Sequence, residues 1–479
     1  MKTWEENVRK VVPYVPGEQP KVQNLIKLNT NENPYPPSPK VAEALKAIDV
    51  DCMRLYPDPA ASVLVKGIAD FYQLQEDQVF VGVGSDDVLA MIFMTFFNSQ
   101  KPILFPDITY SFYDVWADML RIPYETVPLT DDFTIRKEDY FRENGGIIFP
   151  NPNAPTGVEL GMQDVEAIIK ANPDVIVVVD EAYVDFGAAS ALPLIEKYDN
   201  LLVVQTFSKS RGMAGMRIGY AMGNPVLIKY LNDVKYSFNS YTMDQTTLAL
   251  GAAAIADRAY FEETVHKVVE TREWTKKELT KLGFVFGDSK ANFIFASHPE
   301  IPAADLFAAL REANIIVRYF NKPRIANYLR ITIGTQEDME KLIEFLKNIK
   351  IGEIYGITCH MVCHNFRTLY IGESSRFSDF DDAASGTRGG LLASSLLKVS
   401  AVQAIPICII GNILPIPFIL LFIKKIFQWM KKVKCFRGLI VKLENRAMGR
   451  SEKIQQYEFW GLVLFVGIPF REPAHGRVL

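Results

Sequence analysis

The sequence predicts an α/β fold: a large, mostly parallel-sheet domain, then a smaller α+β domain and an atypical, partly hydrophobic C-terminal tail. Three observations carry that expectation. Between about residues 40 and 260, helical patterning alternates with the short apolar runs IIFP (147–150), VIVVVD (175–180) and LLVVQTF (201–207). Continuous Val/Ile/Leu runs ending in polar residues read as strands of a parallel sheet, buried on both faces and joined by crossover helices. The segments with chemistry in them fall at the ends of such runs, where open parallel sheets bind their ligands.

In chain order, residues 1–39 form an N-terminal arm. Its stretch LNTNENPYPPSP (28–39) is too rich in Pro and Asn for regular structure and is expected to pack across the active site. Residues 40–264 make the large domain. Residues 265–352 make the small one, which begins in a long amphipathic helix, FEETVHKVVETREWTKKELTKLG. Strands ANFIFAS, IIVRYF and YLRITIG follow, and the helix EDMEKLIEFLKNI closes it.

After about residue 352 the character changes. Residues 353–387 show neither periodicity and read as an irregular linker. Residues 388–479 carry a 25-residue uncharged stretch, Val399 to Ile423, interrupted by Pro406, Pro415 and Pro417. That length could span a bilayer, and the following cluster (Lys424, Lys425, Lys431, Lys432, Lys434, Arg437) would stay on the cytoplasmic side. Membrane contact is expected only through residues 388–470.

Composition narrows the function. A net charge of −4 and a sequence pI of about 5.9 give no reason to expect a nucleic-acid partner. The opening MKTWEENVRK lacks the apolar core of a secretion signal, and residues 1–350 hold one cysteine, Cys52, which suits a reducing cytoplasm. CHMVCH (359–364) has two Cys-His pairs at four-residue spacing, but it lies in the irregular linker. No metal ligands are assigned.

The most informative segment is TFSKSRGMAGMRIGY, Thr206 to Tyr220. Lys209 lies between Ser208 and a Gly/Met-rich turn, with Arg217 eight residues on. A desolvated lysine amine suits Schiff-base chemistry, and a hydroxyl with a guanidinium beside it suits a phosphate. A plain loop lysine before a buried strand is the bland alternative. GVGSDDVL (82–89) follows a strand and opens a helix, where free N–H groups favour an anion, although Gly-Ser-Asp is also an ordinary N-cap. DEAYVDF (180–186) ends the run VIVVV and places the carboxylate of Asp180 29 residues before Lys209, with one further strand between them.

These segments resemble the fold-type I aminotransferases that use pyridoxal phosphate. Over residues 1–352, RLYPDP, GVGSDDVL, DEAYVDF and PRIANYLRITIGT resemble the histidinol-phosphate aminotransferase family in particular. The resemblance implies amino transfer between L-histidinol phosphate and 2-oxoglutarate, giving glutamate, in histidine biosynthesis. It also implies a homodimer with shared sites and small-molecule partners only. Lys209 would bind the cofactor covalently and move the proton, Asp180 would hold the pyridine nitrogen protonated, and Tyr183 would bond the ring oxygen. Ser85, Asp86, Ser208 and Arg217 would hold the phosphate, Tyr110 would stack on the ring, and Tyr56 would reach the partner's phosphate. Arg330, with Arg318 and Asn33, would take the substrate.

One departure stands out. The family has an asparagine directly before Pro-Thr-Gly, but NPNAPTG (151–157) has Ala154 there. Asn153 is preferred as its substitute, with Asn151 or Tyr183 alone as alternatives. The same scaffold also serves aromatic transamination and threonine-phosphate decarboxylation, because these residues activate the cofactor without choosing the substrate. The tail resembles the small multidrug export family over about 80 residues, which raises membrane transport as a different class of function. Read one base out of frame, DAASGT (382–387) and REPAHGRVL can continue that family. A truncated, frameshifted neighbouring gene joined to the enzyme is therefore expected.

Overall fold

The computed structural model describes residues 3–14, 17–20 and 24–349. The chain divides into two units, Met1–His360 and Met361–Leu479, and every described residue lies in the first. The expected linker, the uncharged stretch and CHMVCH all lie outside the described residues.

Among the described residues twelve strands build two sheets. In chain order they are β1 (Ile26–Leu28), β2 (Val79–Val83), β3 (Ile103–Pro106), β4 (Tyr124–Val127), β5 (Ile147–Pro150) and β6 (Val177–Asp180). Then come β7 (Leu201–Thr206), β8 (Ile218–Gly223), β9 (Val285–Phe286), β10 (Phe293–Ser297), β11 (Ile315–Tyr319) and β12 (Leu329–Thr332). The large sheet has the order β2-β8-β7-β6-β5-β3-β4. Only β8 runs antiparallel to its neighbours.

Alternate residues of the apolar runs feed two separate cores, as the period-2 geometry of a strand requires. Val177, Val179, Leu201 and Val203 pack with Leu64, Ile68, Val165, Ile168 and Leu248 on one face. Val178, Leu202 and Val204 pack with Leu89, Ile92, Phe93, Trp116 and Leu231 on the other. The helices supplying these side chains are Ser62–Tyr72, Met162–Ala171 and Gln245–Ile255 on the first face. On the second they are Ser85–Phe96, Tyr113–Leu120 and Pro225–Phe238. A sheet covered on both faces in this way can offer its strand ends to a ligand, but not its faces.

The second sheet, β1-β11-β12-β10-β9, is antiparallel except where β1 joins β11 in parallel. Its core takes Val268 and Leu279 from helix Arg258–Lys281, Leu306 and Leu310 from helix Ala303–Glu312, and Met339, Leu342 and Ile343 from helix Gln336–Asn348. Thr335 caps the last of these in a reciprocal box with Asp338.

Two expectations change. The arm is not wholly irregular, because Ile26–Leu28 finds its hydrogen bonds on Ile315–Val317 of the small sheet. The boundary placed at residue 264 falls inside one continuous helix, Arg258–Lys281, which carries the chain out of the large domain without a break. Among the described residues no helix is long and apolar enough to cross a membrane.

Candidate active site

Parallel pairing sets the central geometry. Asp180 ends β6 opposite Val204 of β7, and β7 runs two residues further before the turn that carries Ser208 and Lys209. Carboxylate and lysine therefore emerge at the same edge of adjacent strands.

Asp180 is 4% exposed. Its Oδ2 accepts from the Tyr113 hydroxyl at 2.8 Å and its Oδ1 from the Ala182 backbone N–H at 3.2 Å. Burial pushes its carboxyl up to about 6, against the pull of those two donors; Asp86 adds to the rise and Lys209 opposes it. Lys209 Nζ lies 5.6 Å from the centre of the Tyr183 ring and 3.4 Å from the Thr30 carbonyl of the arm. The next residue, Ser210, donates to Asp185 Oδ2, which ties the lysine turn to the segment holding Asp180 and Tyr183.

A second cluster surrounds the start of helix Ser85–Phe96. Gly84, at φ +84°, precedes it without a capping side chain, so the N–H groups of the first turn are available to an anion. Arg217 sits here in the left-handed region at φ +52°. Its Nη2 donates to Asp86 Oδ2 at 2.8 Å and its Nη1 to Ser208 Oγ at 3.4 Å. The Tyr110 hydroxyl donates to Asp86 Oδ1 at 2.6 Å, and burial with the Asp86 charge drives that phenol's pKa up.

Small residues are required around this cluster. A Cβ on Gly84 would come within 2.4 Å of Arg217 Nη2, and one on Gly219 of β8 within 2.2 Å of the Ser85 nitrogen.

Arg318 and Arg330 face each other across β11 and β12. Two like charges directly opposite repel. Both guanidinium carbons lie 5.5 Å from the centre of the Phe320 ring. Arg330 donates from Nη2 to the Asn29 carbonyl at 2.9 Å, while its Nε is enclosed without a partner. Neither arginine has a salt bridge among the described residues. Burial and the neighbouring Arg318 lower the Arg330 pKa, against an opposing pull from Tyr183.

The structure thus gathers Lys209, Asp180, Tyr183, Ser208, Arg217, Ser85, Asp86 and Tyr110 at one edge of the large sheet. Other residues fall differently. Asn33 spends its amide on the carbonyls of Lys209 and Ser210 and its oxygen on the Tyr35 N–H. It straps the arm to the lysine turn rather than offering the substrate contact expected of it.

Asn151 is closed in a two-way bond with the Leu160 backbone, so it is not free to serve a ligand. Asn153 has its amide nitrogen committed to the Ile108 carbonyl and Thr156 Oγ1, and only its buried Oδ1 lacks a partner. As placed it offers an acceptor, not the donor that the loss of an asparagine at Ala154 led us to expect. Tyr56 is 80% exposed and stacks on Tyr241 at 4.6 Å, outside the site of its own chain.

Sequence reasoning missed Tyr113 and Asn31. Tyr113 lies three residues after Tyr110 and was not among the residues expected at the site. Asn31 donates to the Tyr183 hydroxyl at 2.9 Å.

A family model for class I and II aminotransferases matches residues 23–346, and the chain belongs to that class. It is 52% identical over 345 residues to the histidinol-phosphate aminotransferase of Lactococcus lactis subsp. cremoris, spanning 72% of this chain and 97% of that one. Against the enzyme of the same name from Pseudomonas syringae pv. syringae it is 55% identical over 348 residues, with 73% and 99% covered. The histidinol-phosphate aminotransferases are its family.

The crystal structure of the Sinorhizobium meliloti histidinol-phosphate aminotransferase in complex with pyridoxal-5'-phosphate matches at a TM-score of 0.62 and 23% identity. The match covers 68% of this chain and 92% of that one and shows the shared fold. A second family model, described as "Putative small multi-drug export protein", matches residues 387–475.

The cofactor is pyridoxal 5'-phosphate, and the residues present fit it. A buried carboxylate has no salt bridge among the described residues, an amine lies within reach of the same edge, and a guanidinium with an uncapped helix start makes a cradle that a Cβ would fill.

Proposed function

We propose that residues 1–349 catalyse reversible amino transfer from L-histidinol phosphate to 2-oxoglutarate, yielding imidazole acetol phosphate and L-glutamate in histidine biosynthesis. One observation supports this most directly: buried Asp180 and Lys209 emerge at the same edge of adjacent strands, beside an anion cradle. When bound, pyridoxal phosphate supplies an aldehyde for the substrate amine and a ring that accepts the electron pair released at the substrate carbon.

The chain's own residues do the rest. Asp180 keeps a proton on the ring nitrogen, and Tyr183 donates to the ring oxygen. Lys209, once its amine is free, takes the proton from the substrate carbon and returns it to the cofactor carbon. Ser208, Arg217 and the first-turn N–H groups at Ser85 and Asp86 hold the phosphate, and the Tyr110 ring bounds the ring site.

Arg330, supported by Arg318, takes the anionic end of each substrate. It binds a phosphate in one half-reaction and a carboxylate in the other, which relieves two facing cations without a salt bridge among the described residues.

The working unit is a homodimer. Tyr56 stacks on Tyr241, and Val50, Met53, Leu55 and Phe238, close to them in sequence, are also exposed; exposed apolar side chains of this kind suit an interface. From there it reaches the partner's phosphate site. The enzyme part acts in the cytoplasm.

Purified protein assayed with histidinol phosphate, phenylalanine and threonine phosphate tests the substrate reading. Histidinol phosphate should give the highest kcat/KM. Equal or faster turnover of phenylalanine, or release of carbon dioxide from threonine phosphate, would move the chain to another chemistry on this scaffold.

A further inference from the structure

The hydroxyl of Tyr183 has one hydrogen bond among the described residues, and it comes from the N-terminal arm. Asn31 of the arm, 1% exposed, donates from Nδ2 to Tyr183 Oη at 2.9 Å. Thr332 of β12 accepts at Oγ1 from the Asn31 backbone N–H at 3.0 Å, and donates its own proton to Asn31 Oδ1, also at 3.0 Å. The Asn31 carbonyl accepts from Asn292 Nδ2 at 3.0 Å.

With Asn31 Oδ1 accepting from the Thr332 hydroxyl, the amide nitrogen faces the phenol. With one lone pair of Tyr183 Oη taken by that N–H, the phenolic proton must point elsewhere. The charged and titratable groups around Tyr183 are Lys209, Arg330, Tyr110 and Tyr113. Among the described residues no hydrogen bond joins the phenol to any of them.

We propose that Asn31 and Thr332 are positioning residues: together they hold the Tyr183 phenol as a hydrogen-bond donor toward the cofactor's ring oxygen. The inference rests on the reading that Tyr183 lies beside the cofactor. Through this relay the arm and the small sheet set the electronic state of a site whose other parts come from the large sheet. Asn31 also adopts φ +56°, a left-handed conformation that asparagine and glycine tolerate. Asn31→Gly therefore removes the amide and spares the backbone.

The test is a pH titration of the visible absorption of the cofactor-loaded protein, which reads the charge on the ring oxygen and not turnover. A donated proton stabilises that negative charge and keeps the midpoint low. Tyr183→Phe should raise it by roughly one to two pH units, the span of a hydrogen bond to a charged group. Thr332→Val and Asn31→Gly should shift it in the same direction, while Thr332→Ser keeps the wild-type midpoint. In a Tyr183→Phe background neither should move it further.

An unchanged midpoint in Tyr183→Phe would overturn the placement of Tyr183 beside the cofactor, and the relay with it. A shift in Tyr183→Phe without one in Thr332→Val and Asn31→Gly would overturn the relay alone. Equal shifts with and without the phenol would make Asn31 and Thr332 merely structural, and the relay would again fall.

Discussion

In the proposed mechanism Lys209 is the amine on which the chemistry turns, and Asp180 is the acid that makes the electron sink work. Lys209→Ala should abolish both transamination and the visible band of the loaded enzyme. Retained turnover would rule out covalent attachment at this position.

Asp180 makes a further, pH-dependent prediction. Its carboxyl, held near 6 by burial, ordinarily titrates at 3.8. A group that binds its proton more tightly folded than unfolded adds stability below the unfolded value and loses it as pH rises through the folded one. Here the loss runs from about pH 4 to about pH 6 and amounts to about 3 kcal/mol. Glu181, raised to about 7 by burial, acts in the same sense whether or not the cofactor is bound.

A protonated ring nitrogen against Asp180 supplies the missing counter-charge. Cofactor loading should therefore raise the thermal midpoint more at pH 8 than at pH 5, and Asp180→Asn should shrink that difference. Equal gains at both pH values would detach Asp180 from the ring nitrogen.

At the level of elements, the antiparallel strand β8 matters through a residue that has no side chain. Gly219 lets β8 pass within contact of the turn before helix Ser85–Phe96. Gly219→Ala should cost about 1–3 kcal/mol as overpacking and weaken cofactor binding by moving the phosphate turn. A variant with unchanged cofactor affinity would show that the turn adjusts without loss.

Strands β5, β6 and β7 were legible in the sequence to within two residues, because uninterrupted Val/Ile/Leu runs buried on both faces leave no competing period. Strand β1 was not. Three residues in a Pro- and Asn-rich arm carry no pattern of their own, and their strand character comes entirely from β11.

The site shows the same division. Lys209, Asp180 and Arg217 sit in segments whose spacing gives them away, whereas Tyr113 and Asn31 act through partners on other elements. Asn153 shows the limit from another side, since only the folded turn reveals that its amide nitrogen is already occupied.

For the whole molecule, both sheets and every candidate site residue lie before residue 350. A shortened protein ending at residue 352 should keep the full chain's kcat/KM, and a large loss would give the tail a role in catalysis. The dimer has its own test. Tyr56→Ala and Lys209→Ala proteins, each impaired alone, should regain activity when unfolded and refolded together, because a mixed pair rebuilds one intact composite site. No recovery, with mixed pairs demonstrated by mass, would place Tyr56 outside the neighbouring site.

The pairing of Ile26 with Ile315 also constrains synthesis. A ribosome makes the edge strand of the small sheet near the start of residues 1–349 and its hydrogen-bonding neighbour near their end. Until that neighbour emerges, the stretch before Asn31 has no ladder to join. Completion of the pocket thus waits on nearly the entire enzyme having been translated, and any premature stop upstream of β11 leaves it open.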